Sequence, residues 1–164
     1  WGDLKAQIAA MRTGARKVGE MIDRFGLEIF RSGMTELLDH AEKQARRLID
    51  QMPNGEYFFA DYMDEDSVDG HPCRLAVNMI VKGDEIEFDF SQSDPQVTAS
   101  LNIPTGGNER HVLLMIPLIY VLYTMDNNIF LNSGLIRPAR STLPVGSIVN
   151  PVFPPPLVCE VWVS

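Results

Sequence analysis

Arg74-Leu75-Ala76-Val77-Asn78-Met79-Ile80-Val81-Lys82-Gly83-Asp84-Glu85-Ile86-Glu87-Phe88-Asp89-Phe90 is the segment from which the architecture can be read outward. Leu75, Val77, Met79 and Val81 recur at every second position, Gly83-Asp84 makes a two-residue turn, and Ile86, Phe88 and Phe90 alternate back. A period of two on both sides of a short glycine-containing turn predicts an antiparallel hairpin. In that register Val81 faces Ile86, Met79 faces Phe88, and Lys82 meets Glu85 as a charge pair. One face is apolar and the other carries Glu85, Glu87 and Asp89, so the sheet has one buried and one wet side.

Upstream of the hairpin, Tyr57, Phe58, Phe59 and Tyr62 suit an aromatic strand. Before Pro53-Asn54-Gly55 the period is helical. Leu4, Ile8, Met11, Ala15, Val18, Ile22 and Phe25 form one stripe, and Phe30, Met34, Leu37, Leu38, Ala41, Ala45, Leu48, Ile49 and Met52 form a second. Asp3 is placed to cap the first helix and Gly26 to end it, which predicts a helical hairpin with facing stripes. Downstream, residues 108–125 predict a third helix, with Pro117 as a kink or early break. From Ile136 on the pattern is short extended segments, and Pro154-Pro155-Pro156 is a stiff one. The expected fold class is α+β. A helical hairpin over residues 1–53 precedes an antiparallel, β-rich region with one helix over residues 54–164, the two packing as one compact unit.

A chain of 164 residues is one ordinary domain or two very small ones. It is 45% hydrophobic and 22% charged, as soluble globular proteins are. A formal net charge of -8 argues against a nucleic-acid binder, which would need a basic face. Residues 1–52 are nearly neutral, whereas residues 56–99 carry eleven Asp/Glu against Arg74 and Lys82, the pattern of solvated loops. Cys73 and Cys159 have no metal-ligand spacing and fit a reducing cytoplasm. No secretory leader is visible at Trp1-Gly2-Asp3. The longest apolar run, Val112 to Tyr123, falls short of the ~20 residues that span a bilayer.

Motifs with chemistry of their own are scarce. An EF-hand counted from Asp64 would need an oxygen ligand at Val68, glycine at Asp69 and a bidentate Glu at Leu75, so the run Asp61, Asp64, Glu65, Asp66, Asp69 is a solvated loop. His71-Pro72-Cys73 brings an imidazole near a thiol, but two ligands do not make a zinc site, and His40 and His111 lie elsewhere. Thr105-Gly106-Gly107-Asn108 before a helix offers amides to an anion but lacks the spacing and lysine of a phosphate loop.

Ordered segments across residues 2–156 carry a family resemblance. They are Gly2-Asp3-Leu4-Lys5-Ala6-Gln7-Ile8-Ala9-Ala10, Asp89-Phe90-Ser91-Gln92-Ser93-Asp94-Pro95-Gln96-Val97, Asn102-Ile103-Pro104, Leu131-Asn132-Ser133-Gly134-Leu135-Ile136-Arg137-Pro138 and Pro144-Val145-Gly146-Ser147-Ile148-Val149-Asn150-Pro151. The set resembles the hydantoinase B / oxoprolinase family. Members are much longer, so the chain is read as an internal piece of one. The family pattern fades after Pro156.

That resemblance implies a cytoplasmic, multi-subunit enzyme in which an A-type subunit uses ATP and a B-type subunit, like this chain, helps to open hydantoin or 5-oxoproline rings by hydrolysis. Relatives carboxylate acetone or acetophenone. It implies ATP and a divalent metal for the parent complex, with none held by this chain, and it makes the A-type subunit the expected partner in a homo- or hetero-oligomer. The polar positions matching its pattern, Asp3, Gln7, Asn102, Asn132 and Arg137, are the candidate site residues: Arg137 as a fork for carboxylate or phosphate, the two asparagines as partners of an imide. Each has an ordinary structural role too, as a helix cap, turn residue or ion pair. The competing expectation is a non-catalytic interaction or oligomerisation module.

Overall fold

A computed structural model describes residues 1–64 and 70–152. The chain runs through helices α1 (Gly2–Phe25) and α2 (Leu27–Ile49), then strands β1 (Gly55–Met63), β2 (Cys73–Lys82) and β3 (Glu85–Asp89). Helix α3 (Val112–Met125), a 3-10 turn at Ser133–Ile136 and strand β4 (Ala139–Thr142) follow. The class is α+β, as the alternation of periods predicts.

The hairpin forms in the register read from the sequence: Val81 pairs with Ile86, Met79 with Phe88 and Lys82 with Glu85, although the last two make no ion pair with each other and Glu85 bonds Arg46 instead. Gly83 takes the turn at φ 61, a left-handed value natural to glycine. Its N–H donates to Asn54 Oδ1 at 2.8 Å, which ties the start of β1 to the turn. β1 pairs antiparallel with β2 along its whole length, from Gly55 opposite Val81 to Met63 opposite Cys73. The fourth strand departs from the expected all-antiparallel sheet. β4 lies beside β3 in parallel, so the sheet is mixed, in the order β1-β2-β3-β4. Parallel neighbours need a long crossover, and residues 90–138, which include α3, provide it.

The apolar face of the sheet is covered by helices. Ala41, Ala45, Leu48 and Ile49 of α2 pack with Val81, Ile86, Ala139, Leu135, Ile129 and the α3 residues Met115, Leu118 and Leu122. Each fully buried Leu, Ile, Val or Met side chain here is worth about 1.5–3 kcal/mol. A second cluster, centred on Cys73, Phe90, Ile148 and Val149, fills the other end of the same sheet. Helix α3 begins at Val112 rather than 108, because residues 105–111 form turns in which Asn108 N–H bonds Thr105 O and His111 N–H bonds Asn108 O. Pro117 neither breaks nor ends it.

The two N-terminal helices exist as expected, but their stripes do not cover each other. α1 buries no residue. Leu4, Ile8, Met11, Val18, Met21 and Phe25 are 42–73% exposed, and Leu27, Ile29, Met34 and Leu37 of α2 are exposed too. The joint is the reason. Gly26 alone, at φ 85 and ψ 151, ends α1 through its N–H to Ile22 O and starts α2 through its carbonyl to Phe30 N–H. Antiparallel helices need a loop of about 2–5 residues to fold flat. Asp3 is likewise not the cap: Trp1 holds that position without a side-chain bond, and Asp3 sits in the first turn, where its charge still favours the helix dipole. Glu65, Asp66, Asp69, Cys159 and Pro154-Pro155-Pro156 lie outside the described residues.

Candidate functional site

Three side-chain assemblies fix the C-terminal half of the chain, the first and third by tying it to the N-terminal half and the second by closing it on itself. In the first, the turn Ser133–Ile136 docks on α2. Asn132 caps it, its Oδ1 accepting from Gly134 N–H at 2.7 Å while its Nδ2 donates to Leu37 O at 3.1 Å. Gly134 rests against α2 so closely that a Cβ would stand 2.1 Å from Leu38 O. Arg137 closes the assembly, with Nη1 2.6 Å from Asp39 and 3.3 Å from Glu42. Those two carboxylates hold its pKa above the ordinary guanidinium value, Asp39 more than Glu42.

The second assembly surrounds Asn102, which is wholly buried. Its Oδ1 accepts from Val97 N–H at 3.0 Å, and its Nδ2 donates to Val97 O at 2.8 Å and Ala99 O at 3.1 Å. The neighbouring Thr105 hydroxyl donates to Val149 O at 2.6 Å, and Asn150 Nδ2 donates to Leu143 O at 3.1 Å. In the third, Ser93 takes the place of a strand. Its Oγ accepts from Ala76 N–H at 3.0 Å and donates to Ala76 O at 2.8 Å, and Asp94 accepts from Arg74 N–H at 2.7 Å. This extends β2 past the end of β3.

The candidate residues are therefore dispersed. Asn132 and Arg137 share the first assembly and Asn102 belongs to the second. Asp3 and Gln7 are exposed on α1, with no side-chain hydrogen bond or ion pair among the described residues. Among the described residues Arg137 makes no hydrogen bond through Nε or Nη2, and it lines a cleft of about 160 Å³ on the wet face of the sheet, with Lys82, Glu85, Glu87, Arg110 and Arg140. Within it Arg140 pairs with Glu87 at 2.7 Å. Arg140, and secondarily the Thr142 hydroxyl, hold Glu87 below the usual carboxylate range.

Sequence reasoning does not find Gly134, Ser93, Asp39, Glu42 or Arg110. Gly134 alone carries a signal, as the fixed glycine of the Leu131–Pro138 segment. The ion-pair partners sit about a hundred residues apart in the chain. Among the described residues no three of His, Cys, Asp or Glu converge as a metal shell. Cys73 is buried in the second core cluster, and His40 and His71 are exposed. The amides near Gly106 are used internally, Gly107 N–H bonding Thr105 Oγ1 at 3.3 Å.

A mixed four-stranded sheet with two long N-terminal helices, sealed by these asparagine, serine and arginine closures, defines an α+β module. The chain belongs to the Hydantoinase B/oxoprolinase family, whose model matches residues 1–164. It is 36% identical over 165 residues to a protein of Pseudomonas sp. (strain NS671) named as the B-type subunit of a D-/L-hydantoinase, covering 97% of this chain and 28% of that one. The 5-oxoprolinase of Dictyostelium discoideum is 31% identical over 159 residues, covering 92% and 12%. Among solved structures, the ATP-dependent caprolactamase from Pseudomonas jessenii superposes with a TM-score of 0.76 at 30% identity, over 95% of this chain and 26% of that one. An acetone carboxylase shares the fold alone, with a TM-score of 0.63 at 17% identity. The chain thus spans about a quarter of the hydantoinase and caprolactamase chains it matches, 28% and 26%.

Proposed function

We propose that this chain serves as part of the B-type subunit of an ATP-dependent enzyme that opens a cyclic amide such as hydantoin or 5-oxoproline by hydrolysis, together with an A-type subunit that uses ATP. The observation that carries the reading is the family match over residues 1–164, joined to relatives named for hydantoin, oxoproline and caprolactam chemistry. Ketone carboxylation is the weaker reading, since its support is likeness of fold at 17% identity. By the same proposal the chain is cytoplasmic and has no turnover alone. Asn102 and Asn132 spend their amides on backbone closure, which favours a scaffold role for them over contact with an imide.

Uncovered apolar surface supports work within an assembly. Besides α1, Phe58, Phe59 and Tyr62 on β1 and Val112, Tyr120 and Val121 on α3 are 47–72% exposed, more than a lone soluble domain ordinarily presents. An interaction module without catalysis is favoured by that same surface. The deciding assay follows phosphate release by an A-type subunit given hydantoin or 5-oxoproline, with and without this chain, alongside a full-length B-type subunit. Substrate-dependent release that rises with the chain supports an active share in the reaction. Release unchanged by the chain while the full-length subunit works, together with self-association that ignores the A-type subunit, favours the module.

A further inference from the structure

The cleft on the wet face of the sheet has an unbalanced charge. Four cations line it, Lys82, Arg110, Arg137 and Arg140, against Glu85 and Glu87, in a chain whose net charge is -8. The two carboxylates are already engaged: Glu87 with Arg140, and Glu85 with Arg46 at 3.3 Å. Arg137 is neutralised from outside by Asp39 and Glu42. Lys82 and Arg110 are left without a carboxylate within ion-pair distance among the described residues.

Arg110 is more than a loose surface cation. Its Nε donates to Ala139 O at 2.8 Å and its Nη2 to Arg137 O at 3.2 Å. Main-chain carbonyls orient the guanidinium but carry no formal charge, so they fix its plane while leaving its charge unpaired. Its Nη1 hydrogens make no hydrogen bond among the described residues. A planar donor group already held in place loses little freedom when an oxyanion arrives.

We propose that the cleft between β2, β3 and β4 binds a small oxyanion between Lys82 Nζ and the backbone-held Arg110 guanidinium. A cleft of about 160 Å³ accommodates a carboxylate or phosphate group on a compact ligand. Pockets for drug-sized molecules measure about 300–1,000 Å³. The inference does not rest on the cyclic-amide reading, because it concerns binding by this chain alone.

The test is titration of inorganic phosphate, and separately of acetate, into the isotope-labelled chain at constant ionic strength set with chloride. The Arg110 Nε–H resonance and the amides of Lys82 and Ala139 report the binding. Saturable shifts at those groups with either anion are the expected result, and the arm that responds distinguishes a phosphate-bearing from a carboxylate-bearing ligand. Lys82→Gln removes an exposed charge without touching the core and should weaken binding about tenfold, the loss expected for one charge-assisted contact. Arg110→Gln should abolish saturation, and should it unfold the chain in a thermal melt, Lys82→Gln decides alone. Shifts that are linear in both anions, that lie elsewhere in the chain, or that persist at full strength in Lys82→Gln would overturn the site.

Discussion

Gly134 leaves less room for a side chain than any other glycine of the chain, because the atom that a new Cβ would strike is the backbone carbonyl of Leu38 in α2, 2.1 Å away, and a helix carbonyl cannot turn aside. Gly134→Ala should therefore destabilise by about 2–3 kcal/mol, read as a lower urea midpoint. Asn102→Ala should cost about 3 kcal/mol in the same measurement, because it strands the Val97 N–H and the Val97 and Ala99 carbonyls in a buried site. A loss of stability in step with any loss of function would mark Asn102 as scaffold. Glu87 gives a pH signature. Its folded pKa lies below the ordinary 4.5 because Arg140 and then Thr142 bond the ionised form. The stabilisation is present above the unfolded value and disappears as pH falls through the folded one. Glu87→Gln should be less stable than the parent at pH 7, with the gap closing below about pH 4; a gap that stays constant with pH would contradict the pairing.

At the scale of elements, α1 and α2 are both long and amphipathic, yet they are held in different ways. α2 buries Ala41, Ala45, Leu48 and Ile49 in the main core and receives the clamp from Asn132 and Arg137, whereas α1 buries nothing. Most helical stability in proteins comes from packing of an amphipathic face, which α1 lacks here. Hydrogen exchange should therefore be fast along α1 and slow from Ala41 to Ile49, and equal protection in the two would show that α1 is covered. Gly14 has open space around it, so Gly14→Ala should raise helicity by roughly 0.5–1 kcal/mol of local stability while leaving the unfolding of the sheet unchanged. The elements themselves were legible in the sequence wherever period and punctuation agreed: the β2–β3 register followed from alternation around Gly83, and the two long helices from their stripes. The four-residue β4 was not, because its partner choice depends on backbone bonds such as Ile86 N–H to Pro138 O, and no side-chain pattern encodes them.

For the whole molecule, the uncovered stripes of α1 and the exposed aromatics of β1 set how the chain behaves in solution. Concentration-dependent self-association should appear in sedimentation experiments on the chain alone, and removal of residues 1–25 should reduce it without lowering the unfolding midpoint, since no buried contact is lost. A lower midpoint would show that α1 supports the core. The sequence by itself determined the α+β class, the hairpin register and the family, because these rest on local periodicity and on ordered short motifs that survive without a structure. Only the tertiary structure decided that Asn132 ties its turn to Leu37, that Arg137 reaches back to Asp39 and Glu42, and that Arg110 stands in a cleft with no carboxylate within ion-pair distance among the described residues. The bonds of Asn132 to Leu37 and of Arg137 to Asp39 and Glu42 join residues nearly a hundred positions apart in the chain. The geometry that creates them comes from packing two helices and a crossover strand on one sheet, which no window of the sequence contains.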